Sequence, residues 1–363
     1  MSSPIIRVDN VKRSFRSTQK GEGFKGTMEL LFNPKVSTYE ALKGVSFTIE
    51  EGSFVGLIGA NGAGKTTLLK ILSGLIPPSS GEATVLGYRP FDRTLDFRHK
   101  ISLVMGQKAQ LWWDLPALDA FHLLKAIYEI DEKVYRERLE TLSELLDVKR
   151  LLQTQIRRLS LGERMKMELI GALLHWPKVI FLDEPTIGLD VFAAHKLREF
   201  LRVFNEKEKS TIILTSHNMD DIERLCSRVL ILRTGELLFD GSPSTLTRKG
   251  ECRLRVRIME KKTSTELSQI TGLSESKIEA PDSKAGSSSE DGEREYSEKD
   301  EEGANAIPTA YFHIHRDDVM KTLQTLMQKV TVVDMGIEEQ SLESVIQRVY
   351  ETDGLAPGTG PNG

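Results

Sequence analysis

The sequence is poor in cysteine, in long apolar runs and in any excess of charge of one sign, and each shortage removes a class of protein. Two cysteines among 363 residues, Cys226 and Cys252, are too few for a disulfide framework, and their spacing is not that of a zinc site. The expectation is a reducing, cytoplasmic setting. No window approaches the roughly 18 consecutive apolar residues that a membrane-spanning helix needs, so any membrane role has to run through a partner. The opening segment MSSPIIRVDN places Pro4, Arg7 and Asp9 where a secretory signal needs a continuous apolar core, and it does not read as one. Lys and Arg number 49 against 53 Asp and Glu, a net charge of −4, which argues against the basic footprint of a dedicated nucleic-acid binder. No nucleic-acid partner is expected, and no internal repeat is visible.

The length carries a soft prior of two to three domains. Residues 42–58, LKGVSFTIEEGSFVGLI, alternate and then close on an apolar run, predicting two strands joined at Glu51-Gly52. GANGAGKTT (59–67) and the helical LLKILSGLIPP follow. From about 88 to 176 the periodicity is helical, with Val134, Leu139, Leu142, Leu145 and Leu146 on one stripe, which predicts a helical subdomain. KVIFLDEP (178–185) and STIILTSHN (210–218) read as parallel strands joined by a helical crossover, and RVLILRTGELLFDG (228–241) as a hairpin through Thr234-Gly235. An α/β domain over 1–249 is the expectation.

Residues 273–306 hold 11 acidic and 4 basic residues and almost no large apolar side chain, a net charge of −7. Such a segment cannot bury enough surface to offset its ordering entropy, so a disordered acidic insertion is expected. On either side of it, 250–272 and 307–352 are expected to form a small C-terminal α+β accessory domain, with 353–363 a flexible tail. The body outside the acidic insertion is slightly basic.

Gly59, Gly64, Lys65 and Thr66 complete G-x-x-x-x-G-K-[ST] between a predicted strand and a predicted helix, the context that gives this motif its meaning. Across Gly59, Ala60, Asn61, Gly62, Ala63, Gly64, Lys65, Thr66 and Thr67, backbone N–H groups turn inward to cradle phosphate and the helix adds its positive end. Lys65 is expected to reach the β- and γ-phosphates of a bound nucleotide and Thr66 to ligate Mg²⁺. The metal also needs a carboxylate, and Asp183 at the end of VIFLDEP is placed to supply it. Glu184 follows as the candidate to face an attacking water.

In this order the motifs resemble the ATP-binding subunit of ABC transporters, over roughly residues 5–248. The resemblance implies an α/β fold, a P-loop NTPase of ABC ATPase type with a helical subdomain, using ATP and Mg²⁺. Gln107 in VMGQKAQ would touch Mg²⁺ and the water. Ser160, Leu161, Gly162 and Glu163 in LSLGE would form the signature that meets the γ-phosphate bound by a second copy of the chain, or by a paralogous ATPase. Glu184 would be the general base, Asp190 in IGLD (187–190) would sit at the dimer interface, and His217 in TSHN would hold the γ-phosphate and lock Glu184. Leu161 and Glu163 depart from the usual glycine and glutamine. Leucine cannot offer glycine's close backbone approach, so retained but slowed activation in trans is expected. Glu163 reads equally as a helix-start acid.

Phe15 and Tyr39 both fit the aromatic that stacks adenine, because 16–37 looks like an insertion, with Tyr39 slightly favoured. Trp112 and Trp113 in QLWWDLPALDAF read either as anchors for a helix of a membrane subunit or as packing of the helical lobe. The tail VVDMGIEEQSLESVIQRVY is similar to that of ATPases serving type-2-permease exporters, and reads equally as a generic small α/β dimerisation lobe. The resemblance thus implies two membrane permease subunits as partners, export, and a peripheral position on the inner face of the plasma membrane. A soluble ABC ATPase, or a nucleotide-gated module without transport, stays open as the alternative.

Overall fold

The structure, a computed structural model, describes residues 4–18, 36–106, 109–246, 251–280, 308–339, 343, 345 and 346. Gln107 and residues 281–306 and 353–363 lie outside the described residues. The described residues divide into two compact units, one ending at Pro243 and one beginning at Ser244.

In the first unit β1 (Ile6–Thr18), β2 (Val36–Ile49) and β4 (Ser80–Val85) form an antiparallel sheet of order β2-β1-β4. A second sheet holds β3 (Phe54–Gly59), β5 (Ile101–Met105), β6 (Val179–Asp183), β7 (Thr211–Thr215), β8 (Arg228–Arg233) and β9 (Glu236–Gly241), in the order β5-β6-β7-β3-β8-β9. The first five of these run parallel and β9 returns antiparallel on β8. Parallel strands are covered on both faces, which is why FVGLIG and TIILT are buried throughout rather than alternating. Each fully buried Leu, Ile or Phe removes enough apolar surface from water to contribute roughly 1.5–3 kcal/mol. The core they build takes in Leu57, Phe181 and Ile213 from the strands with Leu68, Leu69 and Leu72 of the helix Lys65–Leu72.

The helical stretch is narrower than its periodicity suggests. ISLVM at 101–105, inside the range read as helical, is a strand that pairs in parallel with β6 from Ile101↔Val179 to Met105↔Asp183. Five residues, four of them apolar, carry no period that separates a buried strand from a helix turn. The lobe proper consists of the helices Ala117–Ile127, Glu132–Leu145 and Leu161–Leu173. In the middle one Tyr135, Leu139 and Leu142 are the buried apolar stripe, whereas Leu145 is exposed.

In the second unit β10 (Glu251–Ile258), β11 (Ile278–Glu279), β12 (Thr309–His315) and β13 (Val332–Glu339) form an antiparallel sheet of order β11-β12-β10-β13. Leu254, Val256 and Ile258 bury one face with Phe312 and Ile314, while the intervening Arg253, Arg255 and Arg257 take the other. The helices Ser264–Thr271 and Val319–Met327 contribute Leu267, Leu323 and Leu326 to that core. The segment read as acidic and disordered from 273 begins with structure: Glu275–Lys277 is a 3-10 turn, and Ile278 pairs with Phe312. Ile278 and Ala280 are buried, so enough apolar surface is present to order these first residues. Among the described residues no helix is long and apolar enough to cross a membrane.

His175, just past the helix Leu161–Leu173, ties the lobe to the large sheet. Its Nε2 lies 2.9 Å from the Ile101 carbonyl, and its ring stacks on Tyr128 with centroids 3.9 Å apart. Its Nδ1 is buried without a partner. Burial pushes the imidazole down from 6.5 to about 4, against the pull of the Ile101 bond. Below about pH 6.5 the unfolded chain therefore takes up a proton that the folded chain refuses, and stability falls by up to ~3 kcal/mol as the pH approaches 4. His175→Phe, which keeps a ring for Tyr128, should flatten that acid-side slope in urea unfolding measured from pH 7 to 4.5. An unchanged slope places the acid sensitivity elsewhere.

Candidate functional site

The sheet order sets the C-terminal ends of β6, β7 and β3 side by side, the edge at which open parallel sheets bind ligands. The phosphate loop leaves β3 there. Gly64 has φ +106°, and a Cβ on it would lie 2.6 Å from the Ala41 carbonyl, so only glycine fits the turn into the helix Lys65–Leu72. Ala60, Asn61 and Gly62 are exposed at the loop tip, Ala63 is buried, and Thr67 is half-buried in the first helical turn. Lys65 is buried, and its Nζ donates to the carbonyls of Gly59 and Ala60. Burial lowers its pKa, while the Glu184 and Asp183 carboxylates pull the other way.

A carboxylate at the end of a buried strand needs donors, because an unpaired charge there is costly. Asp183 has two. The Thr66 hydroxyl donates to Oδ2 at 3.0 Å, and the hydroxyl of Thr215, its register partner on β7, donates to Oδ1 at 2.7 Å. Thr215 also accepts the Glu184 N–H on its hydroxyl at 3.0 Å and on its carbonyl at 3.1 Å. Glu184 stands at φ +54°, a left-handed turn that redirects the chain directly after β6. His217 then meets it: Nε2 lies 2.9 Å from Glu184 Oε1. Gly106 packs so closely that a Cβ on it would come within 2.1 Å of the Glu184 carbonyl. Its neighbour Gln107 lies outside the described residues.

The remaining sequence-predicted residues gather elsewhere. Ser160 caps the helix Leu161–Leu173 in a capping box: its Oγ accepts the Glu163 N–H, and Glu163 accepts from the Ser160 N–H at 2.9 Å and hydroxyl at 2.8 Å. These bonds hold the Glu163 carboxyl below its usual range. Glu163 is therefore the partner of the cap. Leu161 packs on the loop of residues 187–190, its Cδ2 2.7 Å from where a Gly188 Cβ would stand, and Gly162 faces Ala193. Asp190 caps the helix Val191–Glu208 by accepting the Ala193 N–H at 2.8 Å. Among the described residues, none of Ser160, Leu161, Gly162, Glu163 and Asp190 bonds to Lys65, Thr66, Asp183, Glu184 or His217.

Phe15 and Tyr39 are register partners across β1 and β2, and both are exposed. The Tyr39 hydroxyl donates to the Gly62 carbonyl at 2.9 Å, which sets this ring against the phosphate loop, while Phe15 lies under the Arg13 guanidinium. Trp112 and Trp113 are 45% and 50% exposed, so neither is a core residue of the lobe. Beside them a cavity of about 230 Å³ opens between β5 and the lobe, lined by Leu103, Gln110, Leu111 and Glu168 among others. Two residues of the centre carried no sequence signal of their own. Thr215 is a hydroxyl at the end of an apolar strand, and Asp221 is a fully buried carboxylate with the Arg198 guanidinium at 2.8 Å. Thr215→Val keeps the shape and removes both services. It should lower turnover of ATP about 10-fold or more and cost ~1–2 kcal/mol in urea unfolding. Unaltered phosphate release would show that Asp183 needs only Thr66.

Comparison with known proteins agrees with this arrangement. Residues 42–187 match the model of the ABC transporter family. The chain is 32% identical over 215 residues to the ABC transporter ATP-binding protein NatA of Bacillus subtilis, covering 59% of this chain and 87% of NatA. It is also 32% identical over 205 residues to the linearmycin resistance ATP-binding protein LnrL of Bacillus subtilis, covering 56% of this chain and 65% of LnrL. Among solved structures it resembles the ATP-binding cassette MJ0796 in a dimeric post-hydrolysis state bound to ADP and Pi, with a TM-score of 0.55 and 26% identity over 65% of this chain and 98% of that one. A phosphate loop, a strand-end carboxylate pair and a histidine built onto adjoining strand ends, in a sequence this close to those relatives, assign the chain to the ABC transporter family as an ATP-hydrolysing, nucleotide-binding subunit.

Proposed function

We propose that two copies of this chain enclose two ATP molecules and that the cycle of closing and hydrolysis drives two membrane permease subunits, in the direction of export. The observation that carries the reading is that Lys65 and Thr66, opening the helix after the phosphate loop, lie beside Asp183, Glu184 and His217 at neighbouring strand ends, with Thr66 bonded to Asp183 and Glu184 to His217. Lys65 would leave the loop carbonyls for the β- and γ-phosphates. The oxygen donors Thr66 and Asp183, 3.0 Å apart, suit a small hard cation that keeps its other positions for phosphate and water. They would hold Mg²⁺, with Gln107 as a further contact, and the bound ion would offset phosphate charge. Glu184 would accept a proton from water as the water oxygen attacks the γ-phosphorus and the bond to the β–γ bridging oxygen breaks, giving ADP and phosphate. The His217 Nε2–H, donating to Glu184, would hold that carboxylate in line.

Ser160 and Gly162 sit at a helix N-terminus, where N–H groups and the helix dipole favour an anion, and in this reading they meet the γ-phosphate bound by the other copy. Asp190 would line the same interface. Tyr39 is the better placed adenine platform because its hydroxyl is already anchored on Gly62. The half-exposed Trp112 and Trp113, beside the cavity at Leu111, offer aromatic anchors to a helix of the permease. Export rests on the similarity to LnrL, whose name states a resistance function.

Glu184→Gln keeps the shape of the side chain and its bond to His217 but cannot take a proton. Steady-state phosphate release, with and without the co-purified permease, should fall at least ~100-fold while ATP binding persists. Release at the wild-type rate would remove Glu184 from the role of base.

A further inference from the structure

The reaction proposed above uses two residues on separate loops, Glu184 after β6 and His217 after β7, and requires them in contact. Neither loop is held by its own strand alone. Both converge on the same buried group, the carboxylate of Asp221 in the helix Met219–Leu225, which has no exposed surface. Thr186, two residues beyond Glu184, donates its hydroxyl to Asp221 Oδ2 at 2.6 Å. Ser216, immediately before His217, donates its hydroxyl to the same oxygen at 2.6 Å. The other oxygen, Oδ1, accepts Arg198 NH1 at 2.8 Å. Arg198 lies in the helix Val191–Glu208, which begins directly after Asp190.

We propose that Asp221 is the positioning residue of the reaction centre: one buried carboxylate clamps the Glu184 loop and the His217 loop in register, so that their 2.9 Å contact forms, and couples both to the helix that starts at the Asp190 loop. A single oxygen shared by two hydroxyls fixes the distance between the segments that carry them, because each short bond loses strength as the other segment moves. Each loop is also fastened on its far side. Thr215 takes the Glu184 N–H, and the Ser216 hydroxyl accepts the Asn218 N–H at 3.0 Å while Asn218 caps its helix. The catalytic pair is thus bracketed, and Asp221 is the point common to both brackets. Asp190 belongs to the proposed interface with a second copy, so a shift there reaches the pair through Arg198 and Asp221 without passing through the nucleotide.

This inference rests on the assignment of Glu184 and His217, and the experiment separates the two. Asp221→Asn removes the counter-charge of buried Arg198 and threatens the fold, so the test removes the hydroxyls instead. Thr186→Val and Ser216→Ala should each lower kcat about 10- to 100-fold, with KM for ATP and nucleotide affinity within about twofold of wild type, because alignment is lost and binding is not. Thr186→Ser, which restores the hydroxyl, should bring kcat back to within about twofold of wild type. Thr186→Val and Ser216→Ala proteins that melt earlier but keep kcat overturn the positioning role. Glu184→Gln run in parallel identifies the failing part: inactive Glu184→Gln beside active hydroxyl variants overturns Asp221 alone, and active Glu184→Gln overturns the pair and the proposal together.

Discussion

The carboxylate of Asp183 is the constraint on which the site depends. It closes a strand buried over its whole length before the last residue, and it is satisfied only because two hydroxyls reach it from two other elements. Thr66 comes from the helix after the phosphate loop and Thr215 from the neighbouring strand. The same three-way bond therefore fixes the loop against the sheet, sets the register of β6 and β7 at their ends, and leaves Glu184 no place but the turn that follows. Without the order β6-β7-β3 these ends would not adjoin, and the motif residues would be scattered along a sheet edge.

The part of this that could be read from the sequence is the part written in local pattern. The spacing Gly59, Gly64, Lys65, Thr66 encodes a backbone turn and a helix start, and it needs no distant partner to be recognised. Asp183 could be found because it ends an apolar run, whereas Ser160 and Asp190 were legible only through the order of motifs shared with ABC ATP-binding subunits, and their capping of helices came from the structure. Strand β5 was hidden, since ISLVM is too short to show a period within a helical neighbourhood. Asp221 was hidden for a different reason. Its partners Thr186 and Arg198 stand 35 and 23 residues away in the chain, and the one near it, Ser216, is ordinary at a strand end. Polar groups that serve as buried hubs are specified by tertiary packing, and an acidic residue in the first turn of a helix gives no hint that it lies inside.

The signature segment shows how a departure from a family pattern acquires a physical meaning. Glu163 closes a capping box on Ser160, so the serine hydroxyl that the shared-site reading sends to a phosphate is donated to a carboxylate in the single chain. Engagement of a second copy would then require this bond to open, and Leu161 over Gly188 joins the signature to the loop that ends at Asp190. In the proposed mechanism the signature, the Asp190 loop and the reaction centre would be linked in that order, from the Ser160 cap through Leu161 and Gly188 to the helix that carries Arg198 and so to Asp221.

In the proposed dimer each reaction centre is shared between two copies, one supplying Lys65, Asp183 and Glu184 and the other Ser160 and Gly162. Mixing two defective chains, Lys65→Ala and Ser160→Ala, and measuring phosphate release tests that sharing. Each alone lacks one half of every site, whereas a mixed pair contains one complete site. Release by the mixture well above the sum of the separate chains is expected, and a mixture no more active than that sum would rule out the shared site.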